Sequence, residues 1–126
     1  MSATVLEFGG SASDTLAKTK DKSVIRVDLF DCPAEHAQAF EDQLSIIHGY
    51  FDTLEGCLYN RVAARAGESE DMVKFVTMVE WRDRQALAEA KTAVSTFYAQ
   101  TGFNASEFMA SRGIKGDFGT YLPMGD

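Results

Sequence analysis

Residues 24–56 read VIRVDLFDCPAEHAQAFEDQLSIIHGYFDTLEG, and this stretch decides the fold because its hydrophobic period changes in the middle. At its start Ile25, Val27 and Leu29 alternate with Arg26 and Asp28, the period of two of a half-buried strand. Pro33 stops that strand, since proline lacks the N–H a ladder needs, yet its fixed φ suits the first turn of a helix. Asp31 and Glu35 add negative charge near the helix's positive end. From there Ala37, Phe40, Leu44, Ile47, Phe51 and Leu54 recur at alternating spacings of three and four, one apolar stripe along roughly six turns. A coiled coil would need more heptads than this segment supplies. Gly56 is expected to end the helix in a left-handed backbone.

Working outward, Cys57 to Ala66 reads as a second strand, with Leu58, Asn60, Val62 and Ala64 on one face and Tyr59, Arg61 and Arg65 on the other. The polar link Gly67 to Asp71 joins it to Val73, Phe75, Thr77, Val79 and Trp81, again alternate positions, so the two strands form a hairpin. Asp83 can cap an alanine-rich helix whose stripe is Leu87, Ala90, Val94 and Phe97. Gly102 should interrupt it, Asn104 with Glu107 marks a short further helix, and Gly113 closes that one. Ile114 to Leu122 is the last strand, expected at an irregular or edge position because of Gly116 and Gly119. The order βαββαβ, with an extra short helix before the final strand, predicts an α+β sandwich of the ferredoxin-like type. Residues 1–22 read as a flexible arm and 23–126 as the domain.

A chain of 126 residues with 45% hydrophobic content holds one domain with its own core. Its net charge of −7 repels phosphate backbones and anionic lipid surfaces, so neither nucleic acid nor a membrane is an expected partner. No apolar run of ~18 to 20 residues and no secretory leader is present, which points to a cytoplasmic protein. Cys32 and Cys57 flank a helix of about 22 residues, roughly 33 Å long, too far for a disulfide. No CxxC or HExxH spacing suggests a metal, and no GxSxG, P-loop or GxGxxG suggests a nucleophile elbow or a nucleotide.

Three residues stand out as chemistry. His48 flanks the apolar stripe of the first helix, where it can reach a pocket between helix and sheet and accept a proton near neutral pH. His36, twelve residues away, is ~18 Å along the axis and turned about 120°, so the two cannot share a metal. Asn60 and Trp81 fall on the apolar faces of their strands, and a buried amide must find partners for its donors and its carbonyl. A neighbouring side chain or a pocket ligand would serve.

The strand Val24 to Phe30, the Pro33-Ala34-Glu35 start of a long helix ending Leu54-Glu55-Gly56-Cys57-Leu58, and the run Val79-Glu80-Trp81-Arg82-Asp83-Arg84-Gln85-Ala86-Leu87 resemble the antibiotic biosynthesis monooxygenase family of the dimeric α+β barrel superfamily. The resemblance implies a homodimer whose two sheets pair face to face, with a pocket between the sheet and the helices of each subunit. It also implies oxidation of an aromatic, polyketide-like or anthrone-like molecule by O2 with no flavin, metal or other cofactor. Trp81 matches the family's tryptophan at the end of the third strand. Thr77 stands where one monooxygenase type has an active asparagine, a departure for which Asn60, one strand over, could compensate. The site expected on this basis has Asn60 and His48 as catalytic groups, and Trp81, Thr77, Phe40 and Leu44 as substrate-binding walls. The haem-degrading relatives use an asparagine in the first strand and a histidine in the second helix; this chain has neither. A noncatalytic small-molecule-binding dimer of the same fold is the alternative, and isomerase or cyclase work on the same barrel is a third possibility.

Overall fold

In the computed structural model, which describes residues 22–67 and 70–124, Pro33 is the last residue of β1 (Val24–Pro33). The expected arm at residues 1–22 lies outside the described residues, Lys22 apart. A 3-10 turn (Ala34–His36) comes next, so α1 (Ala37–Phe51) starts later than proline's helix-starting preference suggests. α1 also stops early. Thr53, Leu54 and Cys57 donate backbone bonds to Tyr50, Phe51 and Leu54, closing a run of turns rather than a helical end. Gly56 is not left-handed, contrary to expectation. It is needed for close approach instead, since a Cβ there would sit 2.5 Å from that of Ala86.

The remaining elements are β2 (Cys57–Ala64), β3 (Met72–Trp81), α2 (Arg84–Thr101), α3 (Ala105–Arg112) and β4 (Lys115–Tyr121). Their ends follow from their caps. Asp83 accepts from Ala86 N at 2.8 Å and Asn104 from Glu107 N at 2.9 Å, while Gly102 and Gly113 close α2 and α3 in the left-handed region. The strands form one antiparallel sheet in the order β2-β3-β1-β4, giving the α+β ferredoxin-like fold. Cys32 pairs with Val73 and Cys57 with Trp81, far apart along β3, and both thiols are free. Among the described residues, no helix is long and apolar enough to cross a membrane.

Register decides which side chains meet the helices. Buried Phe75, Thr77, Val79 and Trp81 of β3 lie opposite Phe30, Asp28, Arg26 and Val24 of β1, so those four share the helix-covered face. The alternation of Ile25, Val27 and Leu29 is real, but these residues point to the other face of the sheet, and Leu29 is exposed. In β2 the shift between Cys57 and Tyr59 puts Cys57 opposite Trp81 and leaves Leu58 exposed, correcting the inward position that strict alternation gives it. Asn60, opposite Val79, does face the helices.

The inward face therefore carries two apolar clusters. Phe30, Cys32 and Phe75 pack with Phe40, Leu44 and Ile114 at one end; Val24, Val79 and Trp81 pack with Ala86 and Ala90 at the other. The small side chains of α2 let it lie close against the sheet at that second end. Between the clusters the strands contribute Arg26, Asp28 and Thr77, and the core opens.

Candidate active site

The opening is a cavity of 310 Å³, at the small end of the ~300–1,000 Å³ typical of small-molecule sites. Its floor is the polar middle of β1 and β3. α1 supplies Phe40, Leu44 and His48, and α2 supplies Leu87, Lys91 and Tyr98; Phe103 and Phe108 close the far side. Trp81, only 2% exposed, forms a wall and meets Phe51 edge to face at 5.4 Å between ring centroids. Of the residues expected at the site, Trp81, Thr77, Phe40, Leu44 and His48 all line this cavity.

Asn60 is placed differently. It lies behind His48, outside the cavity lining, and its whole carboxamide is engaged. Nδ2 donates to the carbonyl of His48 at 2.7 Å and to Asp52 Oδ1 at 2.9 Å, which fixes the orientation of the amide. Oδ1 then faces His48 Nδ1 at 2.6 Å, and because an amide oxygen only accepts, Nδ1 must carry the hydrogen. The neutral imidazole is thereby held in one tautomer, with the lone pair on Nε2. Asn60 positions the histidine, and its donors are already committed to protein acceptors, so it has none left for a substrate oxygen.

Burial pushes the pKa of His48 below its ordinary value, against the opposing pull of the Asn60 bond and of Asp28 and Asp52. The ring is consequently neutral at pH 7 and able to accept a proton. Burial likewise raises the carboxyl of Asp28, although Arg26, 3.0 Å away, works the other way. Tyr98 is also pushed up by burial, which keeps its phenol protonated.

Arg26, Asp28, Lys91 and Tyr98 were not foreseen. For the first two a signal existed: Val24, Phe30 and Cys32 have the same parity as Arg26 and Asp28, so both faces of β1 carry apolar residues and either can be the covered one. Lys91 and Tyr98 belong to no motif. Among the described residues, no group of three or more His, Cys, Asp or Glu side chains is placed to hold a metal ion.

The sequence profile of the antibiotic biosynthesis monooxygenase family matches residues 23–112. No curated protein shows significant similarity to the chain. Solved structures share the fold. A candidate monooxygenase from Shewanella loihica PV-4 is 13% identical, with a TM-score of 0.61 over 83% of this chain and 97% of its own. A candidate antibiotic biosynthesis monooxygenase from Deinococcus radiodurans is 19% identical, with a TM-score of 0.61 over 82% and 94%. A variant of SnoaB, a cofactor-independent oxygenase from Streptomyces nogalater, is 20% identical, with a TM-score of 0.58 over 83% and 96%.

Proposed function

The chain belongs to the antibiotic biosynthesis monooxygenase family, and from that premise we propose that its cavity oxidises an electron-rich, enolisable aromatic of the anthrone type with O2 and no resident cofactor. The observation that carries the reading is a neutral histidine, fixed in one tautomer by Asn60, on the wall of an otherwise largely apolar cavity. His48 Nε2 takes a proton from the ring CH2 of the substrate, leaving a carbanion delocalised as the enolate. The carbanion passes one electron to O2, and the resulting radical and superoxide combine to form the C–O bond of a peroxide anion. That anion recovers the proton from His48. Loss of the second C–H proton with the departing hydroxide releases water and leaves a ketone, so one oxygen atom enters the product and the other leaves as water.

The walls have defined work in this scheme. Trp81, Phe40 and Leu44 hold the flat ring system against Thr77 on the floor and exclude water, which strengthens every charge interaction inside. The same reading includes a homodimer assembled through the uncovered face of the sheet. That face carries Ile25, Val27, Leu29, Val76 and Met78 in adjacent registers of β1 and β3, an apolar surface that a second copy would bury.

An oxygen electrode with a panel of anthrones, corrected for spontaneous oxidation, tests the reading. One O2 is expected per ketone formed, and His48→Ala should lose roughly 10²- to 10⁴-fold in rate, the range for a general base. A panel member that binds without oxygen uptake would overturn it in favour of the noncatalytic binding dimer.

A further inference from the structure

The proton transfer proposed above gives no task to the charged groups of the cavity, and Arg26 is the most telling of them. Arg26 lies on the covered face of β1, opposite Val79 of β3 and Thr120 of β4, with its side chain 21% exposed. Nη2 donates to Asp28 Oδ1 at 3.0 Å, and Nε is sealed from solvent with no acceptor among the described residues. A guanidinium that served only to pair with Asp28 would be expected to have its other donors satisfied as well, because burying unmatched N–H groups is costly. Here Nη1 and the second N–H of Nη2 also have no acceptor among the described residues, and Arg26 lines the floor of a cavity.

The charges around it point the same way. In a chain of net charge −7, the charged residues lining the cavity, among the described residues, are two cations, Arg26 and Lys91, and one acid, Asp28. Lys91 is exposed on α2, and Arg26 lies deeper beside Asp28, so these three groups together leave one net positive charge on the lining. Between them the walls are Phe40, Phe51, Trp81 and Phe108.

We propose that Arg26 is an anion-binding residue and that the cavity selects aromatic molecules carrying a negatively charged oxygen, a carboxylate or a phenolate, oriented toward β1. The inference rests on the reading above only in taking this cavity as the substrate site. It orients the occupant: the charged oxygen sits at Arg26, and the ring extends along the aromatic walls past His48.

Trp81 is the single tryptophan of the chain and stands on the cavity wall, so its fluorescence reports occupancy directly. Two matched pairs of probes separate the two sources of charge: anthraquinone-2-carboxylate against its carboxamide, and a hydroxyanthraquinone above its phenol pKa against its methyl ether. In at least one pair the anion should bind the wild-type protein roughly ten- to a hundredfold more tightly, the strength of a hydrogen bond to a charged group. Arg26→Gln should abolish that preference and Arg26→Lys should keep part of it. Since Arg26→Gln leaves Asp28 unpaired, the double variant Arg26→Gln/Asp28→Asn provides a second, charge-matched background, with thermal melting to confirm folding. No preference in either pair, or a preference that survives both Gln variants, overturns the proposal. Arg26-dependent anion binding with no oxygen uptake by any anthrone would leave this inference standing and remove the oxygenase reading. Oxygen uptake on neutral anthrones, without any anion preference, would do the reverse.

Discussion

Replacing Asn60 by alanine removes three hydrogen bonds at once, those from His48 Nδ1, to the His48 carbonyl and to Asp52. At ~1 kcal/mol net for each, discounted for the exposed bond to Asp52, the loss of stability should be about 2–3 kcal/mol. The chemical effect is separate. Without an acceptor at Nδ1 the imidazole can move its hydrogen to Nε2, and the face turned to substrate becomes a donor rather than a base. If the bond at 2.6 Å favours the present tautomer by ~1.4 kcal/mol, its loss shifts the tautomer ratio roughly tenfold, from about 10:1 to about 1:1, and so lowers the competent fraction, and with it the rate, about twofold. Three measurements separate these effects: urea unfolding for stability, imidazole ¹⁵N resonances for the tautomer, and oxygen uptake for the rate. Asn60→Asp keeps an acceptor at the same place and should retain the Nδ1–H tautomer while making His48 more basic. A wild-type spectrum with the hydrogen on Nε2 would refute the reasoning, as would an Asn60→Ala variant with unchanged stability and tautomer.

Because burial depresses the pKa of His48, the folded state binds fewer protons than the unfolded chain, so stability should fall as pH drops from about 6.5 toward the lowered value. Denaturant midpoints at pH 7.5 and 5.5 should show this slope, and His48→Gln should flatten it; the raised carboxyl of Asp28 acts with the opposite sign and is present in both proteins. Gly56→Ala forces a methyl to 2.5 Å from Ala86 Cβ and should cost about 1–3 kcal/mol by urea unfolding. Light scattering of the wild type at micromolar concentration should give twice the 13.8 kDa of one chain, and Val27→Lys should return it to the mass of a single chain.

The elements that bury one face were the most legible in the sequence. The stripe of α1 correctly selects Phe40, Leu44 and Ile47 for the core, and the caps at Asp83, Gly102, Asn104 and Gly113 all form. The buried face of β3 was readable too, because the strand alternates strongly between buried Phe75, Thr77, Val79 and Trp81 and the more exposed residues between them. β1 was harder. Apolar residues occupy both of its faces, and periodicity alone ranks Ile25, Val27 and Leu29 above Arg26 and Asp28 for burial. Leu58 failed for a local reason, since a bulge shifts parity without leaving a signature such as glycine. Among the candidate site residues, side-chain direction along a strand was enough to aim Asn60 at the helices. Its capture by His48 depends on how far α1 advances over β2, which no spacing in the sequence encodes.

The two-faced β1 has a consequence for folding. A slip of one residue against β3 would carry Ile25, Val27 and Leu29 under the helices and send Arg26 and Asp28 out to water. Local hydrophobicity favours that wrong pairing in the middle of the strand. The native register depends on the ends, where Val24, Phe30 and Cys32 would lose their buried places. A chain folding alone would meet a competing alignment of this central strand, one in which Arg26 and Asp28 leave the cavity floor. Association through the outer face would stabilise only the correct alignment, because only that alignment displays the apolar row to a second molecule. Refolding yield should therefore first rise with protein concentration, the opposite of the trend set by simple aggregation.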